Sequence, residues 1–211
     1  MLVTLPQLAA FLAAAMLITL SPGPDNLMVL SQGISRGRRQ GMVFGLGCAL
    51  GCLNHTLLAA LGISALIAAS PLAFTALKLA GGGYLVYLGW GAVRSPGASF
   101  RADPNDAGPQ GSLAATFRRG LIANAINPKV VLFFLAFLPQ FVNPAHGSAG
   151  LQTAILGTLF TLQGAVIFGA LGYFSGHVGQ WLAKSRKAGQ WLDRLAGSIF
   201  IALGLRLILA R

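Results

Sequence analysis

Six stretches of this 211-residue chain stay apolar for about as long as a bilayer is thick, and that leaves few folds open to it. They cover residues 5–30, 41–69, 71–93, 113–141, 149–175 and 191–210. A helix needs about 20 apolar residues to cross a hydrocarbon core of about 30 Å. None of the six keeps the strict two-residue alternation of a membrane β-strand. The expected fold is therefore an all-α membrane protein with six transmembrane helices. Composition agrees, since 9% of residues are charged where a soluble domain carries about 25%. Residues 8–20 look like the apolar part of a signal peptide. However, residues 1–7 hold no Lys or Arg and no clear small-residue cleavage site follows, so the first run reads as a retained helix.

The net charge of +11 comes from 15 Lys+Arg against four Asp and no Glu. Eleven of the 15 cations fall on alternate connections: Arg36, Arg38 and Arg39, then Arg94, Arg101, Arg118 and Arg119, then Lys184, Arg186, Lys187 and Arg194. The connections around Ser70 and residues 143–148 carry none. By the positive-inside rule the three basic connections are cytoplasmic and both termini lie outside. The charge is thus topology and not a nucleic-acid footprint, which would need a basic face on a soluble module.

The chain also looks duplicated. Lys78-Leu79-Ala80-Gly81 with Leu88-Gly89 is matched by Arg194-Leu195-Ala196-Gly197 with Leu203-Gly204. Pro24 in the first run is matched by Pro128 in the fourth, and Gly41 by Gly147. The expected organisation is a first three-helix repeat at 1–94, a polar cytoplasmic linker at 95–112 and a second three-helix repeat at 113–211. Three is odd, so the second repeat enters the membrane inverted. Gly33, Gly37, Gly41 and Gly45, with Gly47 and Gly51, are expected to let helices approach closely, as are Gly172 and Gly176. Such stripes would serve a homodimer as well as packing within one chain. Cys48 and Cys52 lie one turn apart and read as small packing residues, not as a disulfide.

Two interruptions carry the candidate chemistry. In the first run Pro22, Gly23 and Pro24 precede Asp25 and Asn26. Each proline lacks an N–H, so the helix is expected to break and free polar backbone groups, tolerated only against protein or a watery cavity. In the fourth run Asn127, Pro128 and Lys129 form the matching break, at mid-membrane depth if Arg118 and Arg119 mark the interface. Asp25 reads as the one acid deep within a span. A lysine at the depth of Lys129 costs about 3 kcal/mol on insertion scales and wants a partner. The sharpest expectation is that Asp25 and Lys129 approach each other across the pseudo-two-fold axis. They would bind the two charges of a zwitterion or hold each other until substrate or a proton arrives. The alternative is that Asp25 caps the resuming helix and Lys129 snorkels. Asn54 and His55 in the second span, with Thr161 and Gln163 in the fifth, could line the same path or cross-link helices. His55 could also relay protons. Three ligands on one helix rarely converge, so Cys48, Cys52 and His55 are not expected to hold a metal. No phosphate loop, dinucleotide fingerprint or zinc-protease motif is present, so neither a cofactor nor an enzymatic activity is expected.

Ser21-Pro22-Gly23-Pro24-Asp25-Asn26, Asn127-Pro128-Lys129 with the following Val130–Phe134, and Leu138-Pro139-Gln140-Phe141 together resemble the LysE/RhtB family of bacterial amino-acid exporters. The Pro-Gly-Pro motif is closer to the RhtB, homoserine/threonine-type branch, and the resemblance runs over essentially the whole chain. It implies export of amino acids or close derivatives across the bacterial inner membrane, driven by the proton-motive force. It also implies that Pro22–Asn26 and Asn127–Lys129 form the substrate and coupling region. The expected partners are an amino acid, protons and the lipid bilayer. A passive channel for small zwitterions is the competing reading; it needs the same breaks but no titratable coupling group, so Asp25 favours the exporter.

Overall fold

The structure is a computed structural model that describes residues 2–95, 112–184 and 186–209. The linker expected at 95–112 lies, apart from its two ends, outside the described residues. Elsewhere the chain is helical: α1 (Leu5–Leu20), α2 (Pro24–Arg36), α3 (Arg38–Ala69), α4 (Pro71–Val93), α5 (Leu113–Ala125), α6 (Pro128–Leu132), α7 (Ala149–Tyr173), α8 (Ser175–Lys184) and α9 (Arg186–Leu209). No strand occurs among the described residues. After α6 the chain continues as a π-helical stretch, Phe133–Phe137, and a 3-10 turn, Leu138–Phe141. Helices suit this composition because each satisfies its own backbone where no water can.

Arg38–Gly62 and Ala149–Tyr173 are each long and apolar enough to cross a bilayer. So are two bent pairs, Leu5–Leu20 with Pro24–Arg36 and Leu113–Ala125 with Pro128–Phe141, when each pair is taken as one span. The outer surface is bare aliphatic: Leu61 is 69% exposed and Val166 72%. An aqueous monomer rarely displays apolar area on that scale, but lipid covers it without cost. The chain is a multi-pass membrane protein.

Both expected helix breaks are present, and they are nearly equal. The α1–α2 pair bends by 53° and the α5–α6 pair by 51°. Glycines set the packing between the remaining helices. Along α3 and α7, Gly41 meets Gly172, Gly45 meets Phe168 and Gly157 meets Thr56, so the two run antiparallel. On another face of α3, Gly47 and Gly51 receive Gly120 and Asn124 of α5, which runs parallel to it. Helices α4 and α9 cross so closely that a Cβ on Gly89 would lie 2.5 Å from the Gly197 carbonyl oxygen, and one on Gly197 would lie 2.5 Å from that of Gly89. Two glycines in the expected stripes behave differently. A Cβ on Gly37 would meet nothing within 4 Å, and its φ is +88°, so it is the corner between α2 and α3 and not a packing residue. Gly176 likewise faces open space.

One core cluster gathers Phe11, Phe133, Phe134, Phe137, Phe141 and Phe160 against α1 and α4. Their ring centroids lie 4.7–6.1 Å apart in tilted and edge-on pairs. Packed aromatics of this kind hold the irregular segment after α6 where backbone bonding is weakest.

Candidate functional site

The first break exposes carbonyls that an intact helix would have used. The carbonyl of Ile18 would accept from residue 22, but Pro22 has no N–H. It accepts instead from the ammonium of Lys129 (3.1 Å) and from Ser21 Oγ (2.7 Å). Lys129 Nζ also donates to the carbonyl of Ser21 at 3.0 Å. The carbonyl of Thr19 takes the Asn26 side-chain amide at 2.8 Å, and Thr19 Oγ1 takes that of Gln163 at 2.8 Å. Lys129 therefore caps the negative end of α1, while Asp25 lies in the first turn of α2, at its positive end. Gly23 lies between them in extended conformation, and the reason for a glycine is space. A Cβ there would fall 2.7 Å from Lys129 Nζ.

The second break repeats the logic. The carbonyl of Asn124 lies four residues before Pro128, and it accepts from His55 Nε2 at 3.1 Å and from the Asn127 N–H at 3.0 Å. A carbonyl can only accept, so His55 carries its proton on Nε2. Asn127 Oδ1 accepts from the Lys129 N–H at 3.0 Å, which starts α6.

Asn124 joins the two breaks. Its side-chain amide donates to Asp25 Oδ2 at 2.8 Å, and its Oδ1 accepts from Cys52 Sγ at 3.5 Å. It is wholly buried, and Asp25 is 1% exposed. Asp25 Oδ1 has no hydrogen-bond partner, nor do Asn127 Nδ2, Asn26 Oδ1 and Gln163 Oε1. Buried polar atoms are usually satisfied, so four unpartnered ones around the two breaks stand out. Asp25, Asn124, Cys52 and Lys129 line one cavity of about 10 Å³, room for about one water.

The sequence-expected residues thus divide. Pro22, Gly23, Pro24, Asp25, Asn26, His55, Asn127, Pro128, Lys129 and Gln163 gather at the two breaks. Asn54 does not: it is exposed on the outer face, one residue and about 100° around the helix from buried His55. Asp25 and Lys129 line the same cavity but form no ion pair; the carboxylate is held by Asn124 and the ammonium by carbonyls. Lys129 does not snorkel, being 4% exposed. Asp25 is also not alone as a buried acid, because Asp193 in α9 is 8% exposed. Asn124 is the participant that sequence reasoning missed. Its signal was available, a polar residue four positions before a mid-span proline.

The family model for a LysE type translocator matches residues 16–211. The chain is 30% identical to an uncharacterized membrane protein of Pseudomonas aeruginosa, over 95% of this chain and 94% of that one. It is 30% identical to a homoserine/homoserine lactone efflux protein of Salmonella typhimurium, over 96% of each. A leucine efflux protein of Enterobacter is 28% identical, over 93% of this chain and 92% of that protein. No solved structure matches the chain.

Proposed function

The chain belongs to the LysE type translocator family, and on that premise we propose that it is a secondary transporter exporting amino acids or close derivatives from the cytoplasm by proton antiport. The relatives named for homoserine and leucine efflux support the substrate class. In this reading six spans (α1–α2, α3, α4, α5–α6, α7 and α9) alternate across the bacterial inner membrane, with both termini external. They form two inverted repeats, residues 1–94 and 113–211. The α4–α9 contact supports the inversion. Pairing Gly82 with Gly197 and Gly89 with Gly204, one residue off the Gly81–Gly197 register of the sequence match, turns the Gly82–Gly204 contact into the Gly89–Gly197 contact, as a two-fold axis requires. The nearly equal bends, each with a carbonyl freed four residues before a proline, support it too.

The observation that carries the reading is Asp25: a buried carboxylate, held by Asn124 through one oxygen, with its other oxygen unpartnered beside the cavity it shares with Lys129. Such a group can take a proton in one state of the cycle and a substrate ammonium in another. Lys129 serves the opposite charge. Its ammonium rests on the Ile18 and Ser21 carbonyls and turns to the substrate carboxylate as the substrate's ammonium takes Asp25. A cavity with room for about one water is too small for an amino acid. Loading requires the half-helices to pivot at their breaks.

The test is efflux of labelled amino acids from proteoliposomes under an imposed pH gradient. Accumulated flux of at least one amino acid against its own gradient supports the exporter. Flux indifferent to the pH gradient would favour a passive pore, and no flux of any panel member would overturn both.

A further inference from the structure

We propose that the end of α1 is a site for a small monovalent cation, and that the Lys129 ammonium fills it as a cation tied to the chain. Its frame is the carbonyls of Ile18 and Ser21, which stand 3.1 and 3.0 Å from Nζ. Pro22 leaves the Ile18 carbonyl without its helical donor, and the negative end of the α1 dipole acts on both oxygens. Unwound carbonyls and the C-terminal ends of half-helices are the groups that hold sodium in broken-helix membrane sites. An ammonium and an alkali ion ask for the same thing here, oxygens around a single positive charge. The Phe200 ring lies 5.8 Å from Nζ and attracts a cation of either kind. Asp25 lines the same cavity, 1% exposed and with Oδ1 unpartnered, and supplies the balancing negative charge.

Two further observations fit the seat to one small ion. Lys129 is 4% exposed, so its stem and head are both enclosed. A Cβ on Gly23 would stand 2.7 Å from Nζ, so the chain keeps position 23 bare where the ammonium sits. The second break is built differently, because the Asn124 carbonyl takes His55 Nε2 and the Asn127 N–H. The cation site therefore belongs to the first break. A cation tied to the chain cannot cross the membrane with the solute. Neither sodium nor potassium is then exchanged at α1, because the protein itself supplies the charge that an alkali ion brings to other broken-helix sites. This consequence for coupling rests on the exporter reading, whereas the site rests on its own geometry.

The test removes the tether and offers free cations. Lys129→Ala deletes the propylammonium part of the side chain, so n-propylammonium matches what is lost. Lys129→Met keeps the stem and lacks only the terminal nitrogen, which leaves space for ammonium or sodium. Thermal unfolding of the full chain in lipid–detergent micelles is followed in chloride salts of equal ionic strength, with choline, too wide for the seat, as the reference. The expected wild-type midpoint is the same in choline, sodium and potassium chloride. n-Propylammonium should raise the Lys129→Ala midpoint saturably, by about 3 °C or more at roughly ten times the half-saturating concentration. Ammonium or sodium should do the same for Lys129→Met, whose preserved packing covers the case in which the Ala variant fails to fold. A wild-type midpoint that sodium raises, or folded variants indifferent to every small cation, would each overturn the proposal. Midpoints read occupancy without transport. Absent flux with the variants' cation dependence intact would therefore overturn the exporter reading alone, and wild-type flux that requires sodium would overturn this proposal alone.

Discussion

The Asn124–Asp25 hydrogen bond offers the most quantitative perturbation in the molecule. Both residues are almost without exposure, the bond is 2.8 Å long, and the second carboxylate oxygen has no partner that could compensate. Asn124→Ala removes the one side-chain donor that Asp25 has among the described residues. A hydrogen bond to a charged group is worth about 1.5–3 kcal/mol. Asn124→Ala also leaves a small void against Gly51 and strands the Cys52 thiol, so the single variant alone would overstate the bond. A double-mutant cycle with Asp25→Ala removes those extra effects. The expected coupling is about 2 kcal/mol, roughly a thirtyfold factor in the unfolding equilibrium. It is read from denaturant titrations in lipid–detergent micelles, followed by fluorescence of Trp90, Trp181 and Trp191. Additive costs, with a coupling under about 0.5 kcal/mol, would mean that the two side chains do not act on each other, and Asn124 would lose its place as the link between the breaks.

Other substitutions isolate single physical causes. Gly23→Ala should push the Lys129 ammonium off the Ile18 and Ser21 carbonyls, since only the tip of a flexible side chain must yield; efflux should fall about tenfold or more while unfolding free energy changes by less than about 1 kcal/mol. Gly37→Ala meets open space but keeps φ +88°, so it should cost about 1–2 kcal/mol of stability and leave transport per folded molecule unchanged. Gly197→Leu, driven into the Gly89 carbonyl, should destabilise by about 3 kcal/mol or prevent folding, whereas Gly91→Leu, with nothing within 4 Å, should be near neutral in the same thermal unfolding assay.

Sequence and structure agree most closely where covalent chemistry leaves no choice. A proline cannot donate, so the breaks at Pro22 and Pro128, and the polar residues that cluster there, follow from the residues alone. Long apolar runs could only become helices, and most of the glycines one turn apart bring helices together, Gly37 and Gly176 excepted. What the sequence hides is the partner of each freed group. It places Asp25 and Lys129 at matching depth, yet opposite charges at one depth need not meet. Carbonyls at the first break satisfy the lysine, and an asparagine at the second break holds the acid. Asn54 and His55 are equal candidates by depth and polarity, and only the 100° step around α3 sends one outward and the other to Asn124. Asp193 sits among basic residues near the start of α9 and looks solvated, because neither Ser95 nor the α1–α2 break is near it in sequence.

The claim that matters most is that Asp25 couples amino-acid movement to protons. The direct measurement is proton flux in proteoliposomes carrying an internal pH dye, recorded as an exported amino acid is added, for the wild-type chain and for Asp25→Asn. The account predicts proton movement opposite to the amino acid in the wild type and none with Asp25→Asn, in protein of unchanged fold. Proton movement of the same size with Asn at position 25 would contradict it.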